Sequence, residues 1–239
     1  MILSHKNRFI FLKTSKTAGT SLEIALSKYC GPDDVITPIQ LDDEAVRASL
    51  GYPGPQNYLK PRRQYTPRDH FRLMRGRKAP RTFYNHIPAR DVRARVGKAI
   101  WESYLKVSIV RNPFDYVVSR YFWAHEGQEV SRTGFREYLM SKPKVLHKNR
   151  RITHIDGTKA VDFMIRFEHF GDDLTELAER VGLPRDLHAE FSALGAKKGV
   201  RPPHATTDEM FSGFSEGIEL VCAIYEEDIA EYGYAVPSG

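Results

Sequence analysis

Two stretches of this sequence run from a short apolar segment directly into a turn and then a helix, and together they restrict the fold more than any other feature. The first is Phe9-Ile10-Phe11-Leu12, followed by Lys13-Thr14-Ser15-Lys16-Thr17-Ala18-Gly19-Thr20-Ser21. It reads as a buried strand, a tight cationic turn and a helix that opens near Thr20. The second is Leu105-Lys106-Val107-Ser108-Ile109-Val110, which ends at Arg111-Asn112-Pro113. Pro113 suits the first turn of a helix, where a missing N–H costs little, and Phe114, Val117, Val118, Tyr121 and Phe122 recur at helical spacing as its core face. Strands alternating with helices predict an α/β fold with a mostly parallel central sheet flanked by helices. Ligands on such sheets bind beyond the carboxyl ends of the strands, where both turns fall.

The first turn points several backbone N–H groups and a positive helix end at one spot, which makes an anion cradle. Lys16 adds a full charge, and Thr17, Thr20 and Ser21 add short hydroxyls around Ala18 and Gly19. Lys13 either helps hold the anion or points to water. The usual ATP-binding loop places its lysine directly after the last glycine; here Lys16 precedes Gly19 by three residues. Arg111 brings a planar fork suited to phosphate. Ser119, eight residues on, returns toward the same end of the sheet once the helix is wound. Two cationic strand ends predict a ligand with two separated anionic groups.

These residues resemble those of a known family. Ser15-Lys16-Thr17-Ala18-Gly19-Thr20-Ser21 is similar to the 5′-phosphosulfate loop of the sulfotransferases, and Val110-Arg111-Asn112-Pro113-Phe114-Asp115 with Ser119 and Tyr121 is similar to their 3′-phosphate motif. Weaker similarity continues through Arg166-Phe167-Glu168 and Ile224-Tyr225-Glu226-Glu227-Asp228-Ile229. Lys197-Lys198-Gly199 faintly resembles a further 3′-phosphate segment. The subgroup it most resembles includes many carbohydrate enzymes. The resemblance implies a P-loop-like sulfotransferase fold and 3′-phosphoadenosine 5′-phosphosulfate (PAPS) as co-substrate, leaving 3′,5′-ADP as product. It implies Lys13, Lys16, Thr17, Ala18, Gly19, Thr20, Ser21, Arg111 and Ser119 as donor-binding residues, with Lys16 also catalytic at the bridging oxygen of the phosphosulfate. The sulfuryl group carries less charge than a phosphoryl group, so no metal is expected.

The predicted base is His86, placed by the sequence at a strand end before a helix. Asn85-His86-Ile87-Pro88-Ala89 also resembles the region where related carbohydrate enzymes place a catalytic histidine. Imidazole titrates near neutrality and can take a hydroxyl proton. The alternative for His86 is a hydrogen-bonded residue at a helix entry, and His70 is the reserve candidate.

Composition bounds the rest. At 239 residues, 41% hydrophobic and 28% charged, the chain suits a single globular domain over 1–239. No apolar run is long enough for a membrane span. No signal-peptide pattern opens the chain, and its two cysteines form no CxxC pair, so a cytoplasmic location without disulfides or zinc is expected. The net charge of +6 is local: between Lys60 and Arg81 stand nine Lys/Arg against one acid, Asp69. Residues 51–81, rich in Pro and Gly, predict a long irregular basic loop or lid. It reads as a solvated loop, as a lid admitting an acidic or already sulfated acceptor, or as a nucleic-acid surface; the last lacks a recognised nucleic-acid fold and is not expected. The acceptor is predicted to be a hydroxyl, first on a carbohydrate, with a tyrosyl peptide or small molecule as alternatives. The rival readings are a nucleotide kinase and a non-catalytic anion- or nucleic-acid-binding protein.

Overall fold

Period-two alternation sorts the strand residues cleanly: Phe9 and Phe11 face one layer of helices, while Ile10 and Leu12 face the other. In the computed structural model, which describes residues 1–195 and 201–238, the strands are β1 (Ile2–Ser4), β2 (Phe9–Phe11), β3 (Val35–Ile36), β4 (Leu105–Val110), β5 (His154–Ile155), β6 (Thr158–Lys159) and β7 (Phe163–Arg166). The helices are α1 (Gly19–Ser27), α2 (Leu41–Ser49), α3 (Pro67–Met74), α4 (Ala89–Val96), α5 (Lys98–Ser103), α6 (Pro113–Ala124), α7 (Arg132–Ser141), α8 (Arg150–Thr153), α9 (Phe170–Arg180), α10 (Leu187–Ala193), α11 (Thr207–Phe211) and α12 (Ser215–Tyr232).

The central sheet has five strands in the order β3-β1-β2-β4-β7. The pairs β2–β4 and β4–β7 are parallel, but β1 runs antiparallel to both β2 and β3. The sheet is therefore mixed. A mostly parallel sheet was expected because the hairpin from Ile2 to Phe11, turned at Arg8 with φ 55°, is too short to show a period.

Helices cover both faces. On one, α1 and α9 pack Leu22, Leu26, Leu174 and Leu177 against Phe11, Val107 and Ile165. On the other, Ile87 and Val92 meet Ile10 and Leu12. A further cluster joins α6, α7, α11 and α12 through Phe114, Tyr121, Phe135, Phe211 and Val221. Each large side chain buried in these layers contributes on the order of 2 kcal/mol.

Two expectations change here. The 51–81 segment is not wholly irregular. Its neck is closed by the Leu59–Arg81 bridge and by the Lys60 N–H donating to the Pro80 carbonyl. It carries α3, opened by a Thr66–Asp69 capping box, and Asp69 also pairs with Lys60 at 2.8 Å. Residues 83–86 form no strand: His86 lies in a turn with φ 57°.

Candidate functional site

β2 hands the chain to its loop through contacts with β4. The Leu12 N–H donates to the Val107 carbonyl at 2.8 Å, Ser108 Oγ donates to the Leu12 carbonyl at 2.6 Å, and Thr14 Oγ1 donates to the Ile109 carbonyl at 2.8 Å. The Thr17 hydroxyl turns inward onto Thr14 at 2.9 Å, so its side chain braces the loop. Lys16 and Ala18 adopt positive φ, 60° and 56°, in a region that costs a non-glycine residue roughly 1–2 kcal/mol. Such strain concentrates at functional sites. α1 opens without a side-chain cap, leaving the first amides, at Gly19, Thr20 and Ser21, without partners inside the helix. These donors and the positive helix end form the cradle.

Gly19 is required for a different reason than flexibility. A Cβ there would lie 2.7 Å from Lys13 Cγ, because the Lys13 stem passes directly beneath the start of α1. Lys13 is 1% exposed, and its Nζ pairs with Glu23 of α1 at 2.6 Å. The structure thus corrects the expected role of Lys13: its ammonium points into the core and cannot reach an anion above the loop. Burial by itself would raise the Glu23 pKa. The cations around it, the Met1 nitrogen and Lys13, instead hold it at about 2.

At the end of β4, Arg111 Nε donates to Asp115 Oδ2 at 2.6 Å, and its Nη1 donates to the Lys16 carbonyl at 2.7 Å and to Ser119 Oγ at 3.4 Å. The guanidinium also stacks on Phe167, with 4.1 Å from its carbon to the ring centroid. Asp115 is shared with Arg201, whose Nη1 donates to Oδ1. Two guanidiniums on one carboxylate leave one positive charge uncompensated. Burial works to raise the Asp115 pKa, and the two arginines more than reverse it. Asn112 caps α6 through its side chain, with the Phe114 amide donating at 2.9 Å. Tyr121 is buried in the α6–α7 packing and bonds Ser131, away from Arg111.

His86 Nδ1 lies 2.9 Å from the Lys13 carbonyl. A carbonyl only accepts, so Nδ1 carries the proton and Nε2 keeps its lone pair. Burial, with the charges of Lys13 and Lys148, lowers the pKa to about 4, so the ring is neutral near pH 7. His70 sits on α3 against Tyr65, within the basic 51–81 segment.

The structure therefore brings Lys16, Ala18, Gly19, Thr20, Ser21, Arg111, Ser119 and His86 to one end of the sheet and turns Lys13 and the Thr17 hydroxyl inward. Sequence reasoning missed Asn149, which clasps the loop: the Ser15 N–H and Oγ donate to its Oδ1 at 2.9 and 3.0 Å, and its Nδ2 donates to the Ser15 carbonyl at 3.1 Å. Arg201 was also missed, since a loop arginine carries no local signal of what it faces. Lys197-Lys198-Gly199 lies outside the described residues. The cavity behind Thr14, Arg111 and Asn149 has a volume of about 30 Å³, room for a water or two and too small for a nucleotide. A larger hollow of about 640 Å³ lies by Arg8, Tyr104 and Lys106, at the opposite end of the strands, and holds none of these residues. Among the described residues, no group of three or more His, Cys, Asp or Glu is arranged to hold a metal, and no helix is long and apolar enough to cross a membrane.

No family profile matches the chain, and no solved structure does. A protein of Archaeoglobus fulgidus, described as uncharacterized, is 30% identical over 114 residues, which cover 44% of this chain and 91% of that protein. The chain belongs to the same family as that archaeal protein. The kinship adds no activity, so the chemistry rests on the side chains at the carboxyl end of the sheet.

Proposed function

We propose that this chain transfers a sulfuryl group from PAPS to an acceptor hydroxyl, first of all on a carbohydrate, by in-line displacement. The observation that carries the reading is the junction of two anion-binding elements on adjacent parallel strands, tied by the hydrogen bond from Arg111 to the Lys16 carbonyl. The uncapped amides of α1 and the surplus charge of the Arg111–Asp115–Arg201 group fit a donor charged at both ends.

PAPS, when bound, supplies the activated sulfuryl group. The amides of Gly19, Thr20 and Ser21 would hold its 5′ end, while Arg111 and Ser119 would hold its 3′-phosphate. Lys16 faces the charge that builds on the departing phosphate, and donors aimed at developing charge usually give a large share of catalysis. His86 Nε2 takes the proton of the acceptor hydroxyl.

A nucleotide kinase is less well supported, because Lys16 does not follow the last glycine as a kinase loop requires. A nucleic-acid binder would rest on the basic lid alone. Thermal shifts separate the three, since a ligand specific to the folded state raises its stability with concentration. Stabilisation by 3′,5′-ADP without metal supports the proposal. Preference for ATP with Mg²⁺ favours a kinase, and response to an oligonucleotide alone favours a binder.

A further inference from the structure

The positive charge of the chain is concentrated in the 51–81 segment, where nine Lys/Arg between Lys60 and Arg81 face Asp69 alone. Asp69 is already taken, by Lys60 and by the Thr66 amide and hydroxyl. The other eight cations form no ion pair among the described residues. Like charges gathered in this way repel one another until an opposite charge reaches them.

α3, at the centre of this segment, has no buried residue. Its half-buried positions are Asp69 and Leu73, one turn apart, which mark the side turned toward the rest of the segment. Pro67, Phe71 and Met74 fall on the other side, within about 60° of one another around the helix axis. There Phe71 is 52% exposed and Met74 83% exposed. Arg68, Arg72 and Arg75, all exposed, make the adjoining stripe. A helix that holds its charged edge and its largest apolar side chains in water together gains nothing from the fold for either.

We propose that α3 docks this protein on the surface of an anionic phospholipid bilayer. The arginine stripe pairs with lipid phosphates, which a planar guanidinium grips through two hydrogen bonds. The Phe71–Met74 face sinks beneath them, to the roughly 5–10 Å depth of the headgroup–acyl boundary. A nucleic acid would satisfy the arginines but leave Met74 in water. It would also find one face of the Phe71 ring covered, since the Arg75 guanidinium carbon lies 4.3 Å from the centroid. A protein partner needs roughly 20–30 residues on each side, far more than one stripe on an eight-residue helix supplies. The docking is peripheral and independent of the identity of the transferred group.

Co-sedimentation of the full chain with vesicles tests this, using phosphatidylcholine alone against equal parts phosphatidylcholine and phosphatidylserine. The protein should partition onto the anionic vesicles and be released by salt. Each cation near such a surface is worth about fivefold in partitioning, so Arg68→Gln, Arg72→Gln, Arg75→Gln together should cost about a hundredfold. Phe71→Ser, Met74→Ser together should cost about tenfold or more, because burial of both side chains is lost. Both variants should melt with the wild type, since the altered side chains are exposed. In Phe71→Trp, lipids brominated on their acyl chains should quench emission beyond the wild-type level. Equal binding to neutral and anionic vesicles overturns the proposal. So does wild-type partitioning of Phe71→Ser, Met74→Ser, which would leave charge adsorption alone. Binding of a single-stranded oligonucleotide without binding of vesicles would assign the segment to nucleic acid instead.

Discussion

Arg111 Nη1 donates to the carbonyl oxygen of Lys16 at 2.7 Å, so the side chain expected to grip the far end of the donor also sets the shape of the near loop. The two halves of the site are one unit. Lys16 is held at positive φ, and this hydrogen bond helps pay for that conformation.

From this coupling, Arg111→Ala should weaken 3′,5′-ADP binding by more than the loss of one phosphate contact, by about a hundredfold or about 3 kcal/mol. Arg111→Lys should recover little, because a lysine cannot serve Asp115, the Lys16 carbonyl and a phosphate with one planar fork. Calorimetric titration of both variants checks this. Near-wild-type affinity in Arg111→Lys would show that charge alone suffices.

Lys13→Met should damage stability and spare the site. The fully buried Glu23 would lose its 2.6 Å partner, and breaking one side of a buried pair costs about 3–5 kcal/mol. Urea unfolding should show that loss, and the Lys13→Met, Glu23→Gln double variant should lose less than the two single changes summed. A large fall in 3′,5′-ADP affinity with unchanged stability would return Lys13 to the binding surface.

The inward course of Lys13 was legible in the chain, although a cationic loop suggested otherwise. Phe9, Phe11 and Lys13 share one parity, which points toward α1, and Ile10 and Leu12 share the other. Both strand–turn–helix units were legible because each is contiguous, with its apolar period, turn and Pro113 in order. β1 and β7, of three and four residues, were not, because strands so short take their identity from the neighbours they pair with. The same holds for Asn149 and Arg201, which reach the site from distant parts of the chain.

His86 predicts an acid limb displaced from the usual imidazole range. Its pKa is lowered from 6.5 to about 4, mainly by burial, so activity dependent on neutral Nε2 should persist at pH 5 and fall only as pH approaches 4. The folding consequence has the same sign. The unfolded chain binds the proton first, so the contribution of neutral His86 is complete above pH 6.5 and is lost progressively between about 6.5 and 4. The pH–rate profile of kcat/KM and urea midpoints across that window measure the two effects. His86→Asn should lower turnover while 3′,5′-ADP still binds, and it should flatten the stability slope. A kcat/KM limb at pH 6.5 in wild type would point to another base.

Lys16→Ala gives the sharpest separation between binding and chemistry. The α1 amides belong to the backbone and survive the substitution, and Arg111 bonds the Lys16 carbonyl, which alanine retains. Ground-state affinity for 3′,5′-ADP should therefore fall only severalfold. Turnover should fall by about 10²–10³, the loss typical of removing one donor aimed at developing charge. Release of 3′,5′-ADP from PAPS with a panel of sugar acceptors gives kcat, and calorimetry gives the affinity. Because alanine at positive φ adds strain of its own, Lys16→Gly is the paired control: it relieves the backbone and still lacks the ammonium. If both variants lose affinity and turnover equally, Lys16 serves to bind the donor and not to stabilise its departing phosphate.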